Sequence, residues 1–232
     1  MSEAATAQPR WATADAYLFD IDGTLLNARD GVHYHAFHHA VQNIFGVKSH
    51  IDGVSVHGNT DIGILRAVLR REGVSDAQFE SRLPEAIAHM SAEVRRNAAE
   101  IEPEVCPSIR ELLLKLREAG KLLGVVSGNL EPIGWTKLER AGLREFFAFG
   151  SFSDRNELRE DIFRHGVWEV RQRLGNDAQV CIVGDTPSDV GAAQRLGLPV
   201  IAVATGIYAV DALRVLDPDV CVACCTELLV NF

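Results

Sequence analysis

Tyr17-Leu18-Phe19-Asp20-Ile21-Asp22-Gly23-Thr24-Leu25-Leu26 carries a short apolar run directly into two aspartates and a glycine turn. Alternate residues of a strand project to one face, so this spacing predicts that Asp20 and Asp22 leave the strand on the same side. Two carboxylates held together repel each other unless a cation or a proton stands between them. The carboxyl end of a buried strand is also where α/β folds collect ligands. The stretch therefore predicts a metal site with chemistry attached. The bland alternative is a strand followed by an ordinary acidic turn.

Outward from that stretch, apolar strand-like runs recur, each paired with a helical pattern. Leu122–Val126, Phe146–Phe149, Gln179–Val183 and Pro199–Val203 read as strands after Tyr17–Phe19. Ile109–Glu118, Pro132–Arg140, Glu157–Leu174 and Pro187–Leu196 read as helices, with Gly120, Gly142 and Gly197 as stops. Such alternation implies right-handed crossovers and a mostly parallel α/β sheet covered on both faces. Residues 31–101 break the pattern, with helical spacing and no buried strand. There Ile62, Leu65, Val68 and Leu69 share one helix face, capped by Asn59 or Thr60. The expected organisation is a core of residues 14–30 and 102–232, an α-helical insert over 31–101, and a loose polar tail over 1–13. Pro103 and Pro107 flank the return of the insert to the core.

A chain of 232 residues buries a substantial core. Its net charge of −9 argues against a nucleic-acid partner, because no basic face is available to phosphate backbones. A small phosphate ester remains compatible, since it needs only local positive charge. No apolar run is long enough to span a bilayer, and Met1 to Arg10 has no apolar signal core, so no membrane is expected. Five cysteines, an odd number, point to reduced thiols and a cytoplasmic protein. Cys221, Cys224 and Cys225 sit among Val220, Val222 and Ala223, which reads as a buried strand rather than half of a zinc site. His35 and His39 are one helical turn apart without an acidic or cysteine partner, so they read as a solvated or substrate-facing helix.

Three further groups stand at strand ends. Val125-Val126-Ser127-Gly128-Asn129 offers a hydroxyl and free backbone N–H groups before a helix, which suits a phosphate. Val183-Gly184-Asp185-Thr186-Pro187-Ser188-Asp189 brings Asp185 to a ligand-binding position, while Asp189 also fits a helix first turn. Asp154-Arg155-Asn156-Glu157-Leu158-Arg159 supplies positive charge between them. In this order, over roughly Ala16 to Gly206, the motifs resemble the haloacid dehalogenase-like (HAD) hydrolase superfamily. The place of the insert is similar to members with an α-helical cap, such as phosphoglycolate phosphatase and β-phosphoglucomutase. Gly58-Asn59-Thr60-Asp61-Ile62 resembles a cap segment of the phosphoglycolate phosphatase-like branch.

The resemblance implies a Rossmann-like, doubly wound parallel sheet and a Mg²⁺-dependent phosphatase of a small phosphorylated metabolite. Asp20 would be the nucleophile and Asp22 the general acid and base. The metal would be held by Asp20, the backbone carbonyl of Asp22, and Asp185. Ser127, Gly128 and Asn129 would grip the phosphoryl oxygens, with Thr24, Gly184, Asp189 and His33 in support. The family places a lysine before a proline at its third motif, and this chain has no lysine after Lys137. The cationic role is therefore carried to Arg155, with Arg159 next, since arginine pairs bidentately with phosphate. A sugar-phosphate mutase on the same core, or a non-catalytic binding protein, is the alternative. A dehalogenase is disfavoured by the presence of Asp22. A phosphonate hydrolase is disfavoured because Lys48 precedes the cap segment that would carry its lysine. Arg66, Arg70 and Arg71 read as the wet face of a helix before they read as contacts for a second anionic group. Oligomeric state and the identity of the metabolite are open.

Overall fold

A computed structural model describes residues 9–232. In chain order, a helical turn α1 (Arg10–Thr13) leads to β1 (Ala16–Phe19) and the short β2 (Leu26–Ala28). Three helices follow: α2 (Val32–Phe45), α3 (Asp61–Arg71) and α4 (Asp76–Arg96). The chain then runs through β3 (Pro103–Val105), α5 (Ile109–Glu118), β4 (Leu122–Val126), α6 (Glu131–Arg140), β5 (Phe149–Ser151) and α7 (Arg159–Leu174). It ends with β6 (Val180–Gly184), α8 (Pro187–Arg195), β7 (Val200–Val203), α9 (Val210–Arg214) and β8 (Val220–Val222).

Six strands form one parallel sheet in the order β5-β4-β1-β6-β7-β8, with β1 central. Because successive side chains alternate, β1 feeds two separate apolar layers. Tyr17 and Phe19 pack with Leu112, Leu113 and Leu116 of α5 on one face. Ala16 and Leu18 pack with Ile162, Phe163 and Val170 of α7 on the other. Burial on both faces explains why the strand reads as a continuous apolar run. The fold is the parallel α/β sheet that the alternation implies, in the doubly wound, Rossmann-like form that the resemblance implies. No helix among the described residues is long and apolar enough to cross a membrane.

The helices α2, α3 and α4 pack around an apolar cluster of their own, which includes Phe37, Leu65, Val68, Phe79 and Met90. Leu130 and Ile133, at the start of α6, are the core's contribution to that cluster. Thr60 caps α3 by accepting the Gly63 N–H at 3.0 Å, and Ser75 with Gln78 forms a reciprocal capping box on α4. A two-stranded antiparallel ladder joins β2 to β3, with Ala28 opposite Pro103. It brings together the points where the chain leaves and re-enters the core. Asp30 reinforces it by accepting the Val32 and Glu102 N–H groups at 2.8 and 3.1 Å.

Three local expectations differ from what is observed. Residues 10–13, expected in a loose tail, form a helical turn because Trp11 is 8% exposed and meets Phe232 edge-on at 6.1 Å. The rest of that expected tail, residues 1–8, lies outside the described residues. The strand expected at Phe146–Phe149 begins at Phe149, after a 3₁₀ turn over Arg144–Phe146. Gly124 of β4 makes room for the Phe149 ring, whose Cζ would lie 2.6 Å from a Cβ there. Finally, α7 begins at Arg159 rather than Glu157, which decides which arginine reaches the sheet. Cys221 lies on the edge strand β8, Cys225 is buried, and all five cysteines are free thiols.

Candidate active site

The register of the sheet delivers the polar residues to one edge. Phe19 is level with Val125 of β4 and Val183 of β6, so Asp20, Ser127 and Asp185 emerge beside one another at the carboxyl ends. Asp20, Asp22, Ser127, Gly128, Asn129, Lys137, Arg159 and Asp185 line one cavity of about 380 Å³ beneath α2 and α3. That volume and position are those of a small-molecule site.

Asp20 is 5% exposed, and Arg159 Nη2 lies 2.5 Å from its Oδ2. The same guanidinium reaches Asp189, its Nε donating to Oδ1 at 2.7 Å. Asp189 is fully buried and doubles as the capping-box partner of Thr186 on α8, accepting the Thr186 N–H and O–H. It is thus both a helix first-turn residue and part of the charge cluster. Gly184 is required beside it, since a Cβ there would sit 2.5 Å from the Asp189 side chain.

Asp185 accepts the Thr24 hydroxyl at 2.9 Å and lies against the backbone of Gly23 and Gly206. Gly23 has a φ of +84°, and a Cβ on it would come within 2.2 Å of the Asp185 carboxylate. Burial, followed by the neighbouring Asp189 and Asp20 charges, pushes the Asp185 carboxyl up to about 8. Asp20 is also raised, chiefly by burial, with Arg159 opposing. Asp20, Asp185 and Asp189 offer carboxylate oxygens within 4.8 Å of one another, a hard-oxygen set deficient in positive charge. Those are the donors and the charge that suit Mg²⁺.

Asp22 behaves differently. Its side chain is 45% exposed, and Lys137 Nζ lies 2.8 Å from both of its oxygens. Asn129 donates to Oδ2 at 2.7 Å. Partial burial works to raise the Asp22 carboxyl, but the Lys137 charge and these hydrogen bonds hold it below its ordinary value. Asn129 is a hub rather than a free ligand group, because it also donates to Ser127 Oγ and accepts from Lys137, both at 2.8 Å. The Ser127 hydroxyl hydrogen and the Gly128 N–H have no partner among the described residues. Gly128 accommodates the insert as well: a Cβ there would be 2.3 Å from the Asn59 carbonyl oxygen, and its own carbonyl accepts the Asp61 N–H at 2.8 Å.

The structure does not bring Arg155 into this constellation. It is exposed, forms no ion pair among the described residues, and does not line the cavity. Arg159, one turn later at the start of α7, occupies the position between the carboxylates. Lys137 was missed, because it reads as a basic residue near the C-terminal end of a helix. A signal was present, however: it shares the apolar stripe of Ile133 and Leu138, where a lysine is buried only with a partner. His33 faces Asp61 at 3.0 Å and stacks on Phe37, while Asp61 also accepts the Leu130 N–H at 2.8 Å. His39 meets Glu93 at 3.3 Å, and His35 belongs to no potential metal-binding group among the described residues.

The chain is similar to the phosphoglycolate phosphatase of Agrobacterium fabrum, at 28% identity over 88% of this chain and 85% of the relative. The phosphoglycolate phosphatase of Synechococcus elongatus is also 28% identical, over 88% of this chain and 90% of that protein. Among solved structures, CbbY from Rhodobacter sphaeroides in complex with phosphate aligns with a TM-score of 0.63 at 20% identity, covering 85% of this chain and 90% of that one. β-Phosphoglucomutase from Clostridium difficile aligns with a TM-score of 0.64 at 15% identity, covering 91% of each. These two structures share the fold. The sequence pattern of the haloacid dehalogenase-like hydrolases matches residues 17–203, from the first strand through the fifth strand of the main sheet, and this chain belongs to that family.

Proposed function

We propose that the chain is a Mg²⁺-dependent phosphatase that hydrolyses a small phosphomonoester through an aspartyl-phosphate on Asp20. The observation that carries this reading is the meeting of Asp20, Asp185 and Ser127, from adjacent strand ends, with Arg159 of α7 in one pocket. Both the fold and the relatives named phosphatases support it. Asp20, the Asp22 carbonyl and Asp185 would hold Mg²⁺, which when bound offsets the repulsion between an anionic nucleophile and an anionic phosphate.

The chain's own groups supply the rest. An Asp20 carboxylate oxygen attacks phosphorus as the bond to the leaving oxygen breaks. Arg159, rather than Arg155, neutralises the charge around the nucleophile. The Ser127 hydroxyl and Gly128 N–H donate to the phosphoryl oxygens, which hold more negative charge in the transition state. The leaving oxygen takes its proton from Asp22, which Lys137 Nζ contacts at 2.8 Å. In the second step Asp22, held as a carboxylate, takes the proton of the water that attacks the aspartyl-phosphate. Lys137 is therefore a positioning residue for Asp22, and Asn129 orders both it and Ser127. Phosphate release from p-nitrophenyl phosphate and a metabolite panel, with and without Mg²⁺, tests the reading. Asp20→Asn should abolish release while the circular dichroism spectrum stays native. Wild-type-like turnover by that variant would overturn it.

A further inference from the structure

The alcohol half of the substrate meets the wall of the pocket that faces away from the charge cluster. That wall is formed by Tyr34, Phe37, Ile51, Val56, Ile64 and Ile101. Among the described lining residues, Lys137 and Arg159 alone are lysine or arginine, and both are engaged by the catalytic carboxylates. The insert contains arginines, but none of them lines the cavity. Arg66 donates to Glu157 at 2.7 Å and to Glu80 at 2.6 Å, and Arg70 donates to Asp76 at 2.9 Å. Arg71 donates to the Asp52 carbonyl at 2.7 Å, and Lys48 is exposed outside the lining. The wall's own carboxylates, Asp30 and Asp61, are its acidic groups; His33, His57 and Tyr34 are its other titratable groups.

We infer that the substrate is the phosphate monoester of an uncharged alcohol, and that esters with a second anionic group are poor substrates. This rests on the phosphatase reading, and it separates the chain from the substrate named for its phosphoglycolate phosphatase relatives. A carboxylate entering against Phe37 and Ile64 gives up its hydration with no lysine or arginine to replace it, and Asp30 adds negative charge to the wall, while Asp61 and His33 are engaged with each other. A hydroxyl at the same place loses far less, and the Tyr34 hydroxyl and His57 offer it polar partners. The same wall disfavours a mutase, whose intermediate must carry two phosphates and needs a cation at each end.

The test uses the full chain with Mg²⁺ and two matched pairs: 2-hydroxyethyl phosphate against 2-phosphoglycolate, and glycerol 3-phosphate against 3-phosphoglycerate. Within each pair a hydroxymethyl group replaces a carboxylate. p-Nitrophenyl phosphate reports the chemistry independently of the wall. The neutral member of each pair should have a kcat/KM at least about tenfold higher, the factor set by one unpaired charge of modest cost. A smaller ratio, or the reverse order, overturns the inference and leaves the phosphatase reading standing. Absence of turnover with all five esters overturns the phosphatase reading, and the inference with it.

Discussion

On the core side of the pocket, Asp20 shares Arg159 with the buried Asp189, Asp22 holds Lys137, and Asp185 stands beside Asp20. On the insert side, Tyr34, Phe37, Ile51, Val56 and Ile64 present an aromatic and aliphatic surface. The two sides are built by different means. The core side is fixed by strand register, which leaves each polar residue one position beyond a buried apolar run. The insert side is fixed by α2, α3 and the segment joining them, which supplies Ile51 and Val56, packed on a second apolar cluster that constrains volume and apolarity. On the proposed function, the reaction belongs to the sheet edge and the choice of alcohol to the insert, which is tied to that edge where the Asp61 N–H meets the Gly128 carbonyl.

The most severe way to break this contrast is to remove the cation that binds the core side together. Arg159→Met leaves Asp20 and Asp189 buried without their shared partner. Loss of one side of such a buried pair typically costs about 3–5 kcal/mol, so urea unfolding should show a large drop in midpoint. Phosphate release should fall with it. Lys137→Met acts more selectively: Asp22 remains half exposed, so the fold should survive. Turnover should fall by about 10²–10³, as when one charge-stabilising donor is lost, and the fall should appear in kcat more than in KM.

Metal addition sharpens the comparison with less force. Mg²⁺ at about one hundred times its dissociation constant should stabilise the native state by about 2.7 kcal/mol, visible as a rise in Tm. Asp185→Asn should abolish that rise, whereas a substitution on the insert wall such as Val56→Ala should leave it intact. The smallest effect is expected from Arg155→Ala. An exposed side chain without a partner contributes within about 0.5 kcal/mol, and turnover should stay near the wild-type rate.

The same division governs what could be read before the structure was known. Asp20, Ser127 and Asp185 were legible because a buried strand leaves an apolar signature that points to the residue after it. Arg155 and Arg159 carry no such signature. They differ by four positions in a loop-to-helix junction, and the choice depends on α7 beginning at Arg159. Lys137 was hidden for a related reason, since its proposed role depends on α6 bringing it to Asp22 and Asn129, which follow β1 and β4. The β2–β3 ladder escaped as well: each strand has only three residues, Leu26-Asn27-Ala28 and Pro103-Glu104-Val105, too few for an alternation to stand out from a loop. Contacts set by local periodicity were readable, and contacts set by how elements cross were not.

Hydrolysis by the proposed route requires Asp20 to become covalently phosphorylated. Acid quenching of the enzyme during turnover of a ³²P-labelled ester with Mg²⁺, followed by peptide mapping, measures this directly. The label should appear on the peptide containing Asp20 and vanish in Asp20→Asn. Label on another residue, or sustained turnover with no labelled enzyme at any quench time, would contradict it.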